Sequence, residues 1–220
     1  MRSVVSVTVL FSCALLLPVG CATDDAATSP AAPTEAAALK ARDFYPLAVG
    51  NQWTYRSTPG DETRTITIVR EEDGFFIDSN TPPARLQTRS TGVYDGDRFL
   101  LEEPLEVGHK WLAVPSASEV ERYEIVATGL ELSTPAGFFK DCLRVRAETK
   151  QRGPGGKPVT VVVLWTYAPF VGLIRIEQRL EIEGEDPRSL MTIELVDFEL
   201  VGGDRAASAA GGGATGVARP

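Results

Sequence analysis

His109 is the only histidine in this chain of 220 residues, and this limits the chemistry that its side chains can perform. A metal site built from several histidines of one chain is excluded, and a Ser-His-acid triad would have to use His109. No Gly-x-Ser-x-Gly motif supplies an activated serine. Residues 155–157 (Gly-Gly-Lys) lack the earlier glycine and the following Ser or Thr of a phosphate-binding loop. We therefore predict no catalytic residue, no metal ion and no cofactor, and an enzymatic role is disfavoured but left open.

The acidic side chains occur in short groups at predicted turns, where solvated charge is expected. Asp95 and Asp97 would be the first candidates for calcium ligands, but calcium needs six to eight oxygens and no ordered Asp-x-Asp-x-Asp loop is present. The formal net charge is -8. An acidic chain lacks the positive electrostatic footprint with which proteins bind nucleic acid, so we predict no nucleic-acid partner.

The first 21 residues contain the parts of an export signal. Arg2 precedes the apolar run of residues 4–17, and small residues lead to Cys21. The apolar run is shorter than the roughly 20 residues of a membrane-spanning helix. Gly20-Cys21 resembles the lipobox of bacterial lipoproteins, with Pro18 at the place of the usual branched aliphatic residue. This resemblance implies cleavage before Cys21, lipid attachment to its sulfur and acylation of the new amino terminus.

A lipid-modified chain would have the membrane as its partner through the anchor, because several acyl chains together bind stably. Ala22, rather than an aspartate, follows Cys21, and the sorting rule of some Gram-negative lipoproteins then implies the outer membrane. Cys13 would leave with the signal and Cys21 would carry lipid, so Cys142 would remain as a free thiol without a disulfide. We expect Cys142 to be a partly buried strand residue.

Composition divides the chain into four segments. Residues 1–20 form the predicted signal peptide, and residues 21–42, rich in Ala, Thr and Pro, form a lipidated, disordered tether. Residues 202–220 contain three consecutive glycines among alanines and are predicted to be a disordered Gly/Ala tail. The intervening residues 43–201 are numerous enough for one domain with a substantial core.

The pattern of this domain predicts β-strands. Residues 174–182 alternate between apolar and charged side chains, whereas residues 160–165 are apolar on both faces and predict a central strand. The apolar residues between 191 and 200 change parity, which predicts a bulge near Leu195-Val196. Asp73-Gly74 and Asp95-Gly96 predict hairpins. We predict an all-β fold with a single antiparallel sheet of about ten strands, curled as a sandwich, barrel or half-barrel.

Residues 46–53 and 104–111 share the pattern Pro-Leu-x-Val-Gly-x-x-Trp, and residues 169–172 form a fainter third copy. One interpretation is a recurring loop-to-strand corner, in which proline fixes φ and glycine permits a positive φ. The alternative is that Trp53, Trp111 and the aromatic residues near Pro169, such as Phe170, line one mouth of a curved sheet and bind an apolar ligand.

The same segments carry a resemblance. Residues 44–55, 137–142 and 167–173 resemble the YPL-VG-W-Y, G-F-C and YAP-VGL segments of a set of uncharacterised bacterial lipoproteins. The resemblance spans about residues 43–200, and it implies an exported, lipid-anchored protein without implying an activity.

Three hypotheses for function follow. The first is a lipid-anchored cell-envelope protein whose β domain binds an apolar ligand or a partner protein. The second is a hydrolase of the periplasm or cell surface that gathers His109 with a carboxylate and a serine. The third is a scaffold protein whose strand edges pair with another protein. An enclosed apolar cavity would favour the first, and an exposed apolar strand edge would favour the third.

Overall fold

Twelve β-strands and one short 3-10 helix make up the described part of the chain in the computed structural model, which covers residues 38–96, 98–116, 119–153 and 157–202. The 3-10 helix comprises Ala41–Asp43. The strands are β1 (Gln52–Thr58), β2 (Thr63–Glu72), β3 (Phe75–Asp78), β4 (Arg85–Arg89), β5 (Gly92–Asp95), β6 (Arg98–Glu102), β7 (Lys110–Ser116), β8 (Glu119–Thr134), β9 (Gly137–Arg152), β10 (Pro158–Ala168), β11 (Gly172–Ile182) and β12 (Arg188–Glu199).

All twelve strands belong to one antiparallel sheet in the order β6-β5-β4-β3-β2-β1-β12-β11-β10-β9-β8-β7. The first and last strands of the chain pair in the middle of this order, and the sheet curls until its edges β6 and β7 approach each other and nearly close a barrel. This confirms the all-β, single-sheet prediction. The prediction of about ten strands was wrong, because β3 and β5 have four residues each and β4 and β6 have five. Strands this short show too few alternations to be recognised.

Several local predictions are confirmed. Strand β10 lies between β9 and β11, as expected for a run that is apolar on both faces. The register of β1 against β12 shifts between Thr54 and Tyr55, which leaves Val196 as the extra residue of a bulge. Asp73-Gly74 joins β2 to β3, and Asp95-Gly96 lies at the hairpin between β5 and β6.

Ion pairs cover the outer face of β10. Val162 and Leu164 on this face are buried, and their cross-strand partners on β9 are Glu148 and Arg146. Arg146 contacts Glu148 at 2.7 Å, and it also contacts Glu181 of β11 at 3.0 Å. The methylene groups of these long side chains lie over apolar surface while their charged ends reach water. The outer face of the central strand is thereby shielded without a second layer of structure.

The antiparallel alternation of strands gives the sheet two distinct ends. We call the end that holds the segments before β1, β7 and β11 the corner end, and the opposite end, with the β1–β2 hairpin, the hairpin end. At the corner end, Ala41 and Phe44 are buried in the core, and the backbone N–H of Phe170 donates a hydrogen bond to the carbonyl of Asp43. The packed domain therefore includes residues 38–42, which the sequence analysis placed in the tether.

Side chains, rather than a backbone ladder, connect the two sheet edges β6 and β7 in the described part of the chain. The indole N–H of Trp111 donates to the carbonyl of Phe99 at 3.3 Å, and the Trp111 ring stacks on Tyr123 with centroids 5.2 Å apart. Arg98 at the start of β6 pairs with Glu121 of β8 at 3.5 Å. We call this junction between β6 and β7 the seam.

Some predictions concern residues outside the described ranges. These are the signal peptide, Cys21 as the lipid-attachment residue, most of the tether, Asp97, and the tail beyond residue 202. Among the described residues, no helix has the length and apolar character needed to cross a membrane.

The seam predicts a large stability effect at Trp111. Trp111→Ala should lower the free energy of unfolding by about 3–5 kcal/mol, because it removes a buried ring and the bond to Phe99. Urea denaturation measures this change as a shifted midpoint with an unchanged slope. Leu112→Ala is the matched control, since the Leu112 side chain is 63% exposed and should contribute less than about 0.5 kcal/mol. A near-zero effect at Trp111 would contradict a structural role for this side chain.

Candidate functional site

The two Pro-Leu-x-Val-Gly-x-x-Trp segments form the same corner. In the first copy, Gly50 N–H donates to the carbonyl of Ile68 at 2.9 Å, Asn51 N–H donates to Ala48 at 3.1 Å, and Ile68 N–H donates to Asn51 at 2.9 Å. Gly50 has φ of 98°, a conformation that glycine adopts without strain. The Asn51 side chain, buried at 2% exposure, donates to Pro46 and accepts from Val201 N–H. This side chain ties the start of β1 to the segment after β12.

The second copy repeats these backbone bonds. Gly108 N–H donates to Ile125 at 2.8 Å, His109 N–H donates to Glu106 at 3.0 Å, and Ile125 N–H donates to His109 at 2.9 Å. Gly108 has φ of 91°. The interpretation as a recurring loop-to-strand corner is therefore confirmed. His109 occupies the position of Asn51, as the alignment of the two copies indicates.

The third copy meets the first directly. Trp53 donates its indole N–H to the carbonyl of Val171 at 2.7 Å, and a Cβ on Gly172 would lie only 3.4 Å from the same indole nitrogen. Tyr55, two residues further along β1, donates its hydroxyl to the carbonyl of Leu173 at 2.9 Å. These two bonds bring the inner face of β1 against the start of β11.

An apolar cavity of about 310 Å³ lies on the inner face of the sheet, beside Trp53 and Tyr55. This volume is at the lower limit of ordinary ligand pockets, which hold about 300–1,000 Å³. Side chains of β1, β2, β4, β11 and β12 form its walls, and Tyr45 contributes from the segment before β1. The apolar and aromatic lining residues are Tyr45, Trp53, Tyr55, Ile66, Ile68, Leu86, Leu173, Ile176, Met191 and Ile193.

Polar groups of the cavity lie toward the hairpin end. Asp78 is buried, and its carboxylate accepts hydrogen bonds from the backbone N–H groups of Asn80 and Ala84 and from the Asn80 side-chain amide. These bonds assign Asp78 a structural role in the β3–β4 loop. Glu62 and Arg64 also line the cavity but are exposed to solvent, so the cavity is apolar inside and charged where it reaches water.

Buried tyrosines surround the interior. Desolvation raises the pKa of Tyr55 and of Tyr167 well above 10.0, and neighbouring tyrosines add to the shift. Burial likewise raises the pKa of Tyr45, with Asp78 and Asp95 as further causes, and burial raises that of Tyr123, which donates to Glu121. All four hydroxyls are therefore neutral hydrogen-bonding groups at physiological pH, and none is a candidate base.

His109 lies at the seam rather than in the cavity. Its Nε2 is 3.5 Å from Glu102, its ring stacks on Trp111 with centroids 5.8 Å apart, and no described side chain hydrogen-bonds its Nε2. A triad would need a serine hydroxyl at this nitrogen. The described residues do not place one there.

The surroundings of Cys142 and Asp95 indicate that both residues have structural roles. Cys142 is fully buried, more than the partial burial we expected, and burial raises the pKa of its thiol to about 12. Asp95 accepts a hydrogen bond from Arg85 N–H and pairs with Arg98 at 3.2 Å. Within the described ranges, no three His, Cys, Asp or Glu side chains are grouped as metal ligands.

The residues predicted for ligand binding do not share one mouth. Trp53 lines the apolar cavity, whereas Trp111 lines a second hollow of about 320 Å³ between β7, β8 and β9. Phe170 lines neither hollow; it lies half-buried in the loop between β10 and β11 with φ of 60°. Only Trp53 of the three therefore belongs to the candidate site.

Most of the cavity was missed by sequence reasoning. Tyr55 and Ile66 occur in runs that predict strands, so their burial was foreseeable, but nothing local indicates which strands face one another. Tyr45 was assigned only to a motif. The one usable signal was the spacing of Trp53 and Tyr55, which places two aromatic rings on one strand face.

Comparisons with known proteins identify no family. The chain matches no protein-family model and none of the curated proteins. A solved protein of Parabacteroides distasonis ATCC 8503, provisionally described as a lipoprotein, shares 14% identity and a TM-score of 0.43, over 71% of this chain and 98% of that one. A protein of Bacteroides fragilis NCTC 9343, provisionally described as exported with a YmcC-like fold, shares 15% identity and a TM-score of 0.42, over 71% and 99%. These likenesses are too weak to carry an argument about function.

The buried tyrosines predict alkaline instability. Above pH 10 the unfolded chain releases tyrosine protons while Tyr55 and Tyr167 stay protonated in the folded state. The unfolded state then binds fewer protons, so stability falls as pH rises, by up to about 1.4 kcal/mol per pH unit for each such tyrosine. Tyrosinate absorbance and circular dichroism should therefore change together in an alkaline titration.

Tyr55→Phe provides the control for this titration. The variant should lose stability less steeply above pH 10, because the folded and unfolded states then differ by one bound proton fewer. Full tyrosine ionisation near pH 10 with circular dichroism unchanged would contradict burial of these hydroxyls.

Proposed function

We propose that this protein is a lipid-anchored cell-envelope protein of binding type, and that the cavity on the inner face of its sheet holds an apolar ligand. The observation that carries the binding role is the cavity of about 310 Å³ with ten apolar or aromatic side chains in its lining. A concave, mainly apolar space with a few polar groups at its opening is the usual form of a small-molecule binding site.

The architecture around the cavity supports this role. Backbone ladders join β2 to β1, β1 to β12 and β12 to β11, so these walls are held without a ligand. The hydrogen bonds of Trp53 and Tyr55 to the start of β11 fix the two largest rings of β1. A preformed cavity binds with a smaller entropy cost than one that must be assembled.

The envelope location and the anchor rest on the leader. Its basic start, short apolar run and Gly20-Cys21 support export and lipid attachment at Cys21, and Ala22 supports the outer membrane of a Gram-negative bacterium. A tether of about 20 residues rich in Ala, Thr and Pro would have a root-mean-square reach of roughly 25 Å, which is enough to hold the β domain just off a bilayer.

A second candidate function is pairing with a protein partner at the sheet edge. On edge strand β7, Leu112 and Val114 are 63% and 66% exposed, and an edge strand can pair with an added strand. Trp111 on the same strand already bonds to Phe99 of β6, which occupies part of this edge. We therefore favour ligand binding in the cavity over pairing of a partner strand with β7.

Filling the cavity tests the ligand-binding role. Ile193 of β12 lines it opposite Ser57, so Ile193→Trp should weaken dodecanol binding by at least about tenfold, because forcing extra atoms into packed space costs about 1–3 kcal/mol. Isothermal titration calorimetry measures the affinity. Leu190→Trp, at an exposed neighbour outside the cavity, should bind as the unchanged protein does. Absence of dodecanol binding to the unchanged protein would overturn the apolar-ligand proposal.

Cys21→Ala tests the anchor. Intact mass spectrometry of protein purified from its own membranes should give the mass of a triacylated chain that begins at Cys21. The variant should lack the lipid and leave the membrane fraction or remain uncleaved. Unchanged mass and membrane association in the variant would contradict lipid attachment at this residue.

A further inference from the structure

Two oppositely charged side chains at the mouth of the cavity, Glu62 and Arg64, form no ion pair. Glu62 and Arg64 both line the cavity and are exposed, yet neither has an ion-pair partner within 4.0 Å among the described residues. Arg64 is the second residue of β2 and Glu62 directly precedes the strand. Both line the cavity, so both lie on its side of the sheet. Arg64 pairs with Tyr55 across the sheet, and Glu62 accepts a backbone hydrogen bond from Ser57 at 2.9 Å, which fixes both backbones beside the inner face of β1.

The same spacing closes into an ion pair elsewhere on this sheet. The examples are Arg70–Glu72 at 3.3 Å, Arg146–Glu148 at 2.7 Å and Arg179–Glu177 at 3.1 Å. Three further pairs with this spacing do not close, namely Arg122/Glu124, Arg175/Glu177 and Arg179/Glu181, but in each the glutamate contacts another cation instead. Glu62 and Arg64 differ from these pairs because neither of them has any other ion-pair partner among the described residues.

Other charges near the mouth already have partners. Arg56 and Asp61, beside the pair in the β1–β2 hairpin, contact each other at 3.5 Å. The Asp78 carboxylate is occupied by the N–H groups of Asn80 and Ala84. One free cation and one free anion thus remain at this mouth within the described part of the chain, side by side above an apolar space.

We infer that the cavity binds a single-chain amphiphile with a zwitterionic head, whose chain enters the cavity while its anionic group contacts Arg64 and its cationic group contacts Glu62. This inference rests on the proposed binding function and names the class of its ligand. A purely anionic head would meet Glu62, and a purely cationic head would meet Arg64, so each would gain one contact and suffer one repulsion.

The volume of the cavity limits the length of the alkyl chain that the ligand can have. At the packing density of protein interiors, about 0.74, the cavity of about 310 Å³ takes roughly 230 Å³ of ligand atoms, which corresponds to a chain of about a dozen carbons. Dodecylphosphocholine has such a chain and carries both charges. Dodecanoate, dodecyltrimethylammonium and dodecanol have the same chain with an anionic, a cationic and a neutral head.

The four probes would be titrated by calorimetry into the full chain carrying Cys21→Ala, the three charged ones below their micelle concentrations and dodecanol below its solubility limit. We expect dodecylphosphocholine to bind about tenfold more tightly than dodecanol, because two partly exposed ion pairs each contribute roughly threefold. Arg64→Gln and Glu62→Gln should each remove about threefold of this preference. In Glu62→Gln, dodecanoate should gain affinity, and in Arg64→Gln, dodecyltrimethylammonium should gain it.

Arg70→Gln and Glu72→Gln are the matched controls, since this pair has the same spacing on the same strand but does not line the cavity. Both should leave all four affinities unchanged. Equal binding of the four probes, or a preference for one singly charged head, would overturn the zwitterionic inference while the apolar-cavity function stands. Absence of binding by all four, dodecanol included, would overturn the proposed function itself.

Discussion

The pairing of β1 with β12 is the contact on which the other features of the sheet depend. It joins strands from the two ends of the domain, from Gln52 opposite Glu199 to Thr58 opposite Thr192. Asn51 reinforces it by accepting the N–H of Val201. Every other ladder in the sheet connects strands that follow each other along the chain, so this pair alone joins the half formed by β1–β6 to the half formed by β7–β12. It also carries the largest loop-closure entropy, because the closing segment is almost the whole domain.

The candidate site is a direct consequence of that pairing. Trp53 and Tyr55 of β1 meet Leu173 and Ile193 only because β12 lies between β1 and β11. Both rings then donate hydrogen bonds to backbone carbonyls at the start of β11, and these bonds fix their positions in the cavity wall. A bulge at Val196 lets the apolar residues on both sides of it face inward along one strand. Pairing of β1 with β12 and formation of the cavity are thus the same structural event.

Features that depend on residues close together in the chain could be predicted from the sequence, whereas features that depend on distant residues could not. The period-two pattern of β11, the central strand β10 and the bulge after Leu195 depend on neighbours in the chain, so they could be predicted. The repeated corner was readable because Gly50 and Gly108 recur at the same spacing before Trp53 and Trp111.

The cavity could not be predicted in this way. Its walls combine side chains from residue 45 to residue 193, and nothing local shows that Ile66 and Ile193 line the same cavity. The same limitation explains why Trp53 and Trp111 were expected at one mouth. Their corners are alike, but β1 lies inside the sheet and β7 at its edge, so the two indoles reach different neighbours.

The seam between β6 and β7 is the one junction between neighbouring strands of the described sheet that has no backbone ladder. Eleven ladders fix the spacing of neighbouring strands at the distance that backbone hydrogen bonds require, whereas the junction at the seam is set by an indole, an arginine and a histidine. The cavity lies elsewhere, because none of its lining residues comes from β6 or β7. A single side-chain substitution can therefore weaken the sheet at this junction, whereas the other junctions are held by main-chain bonds that a substitution leaves in place.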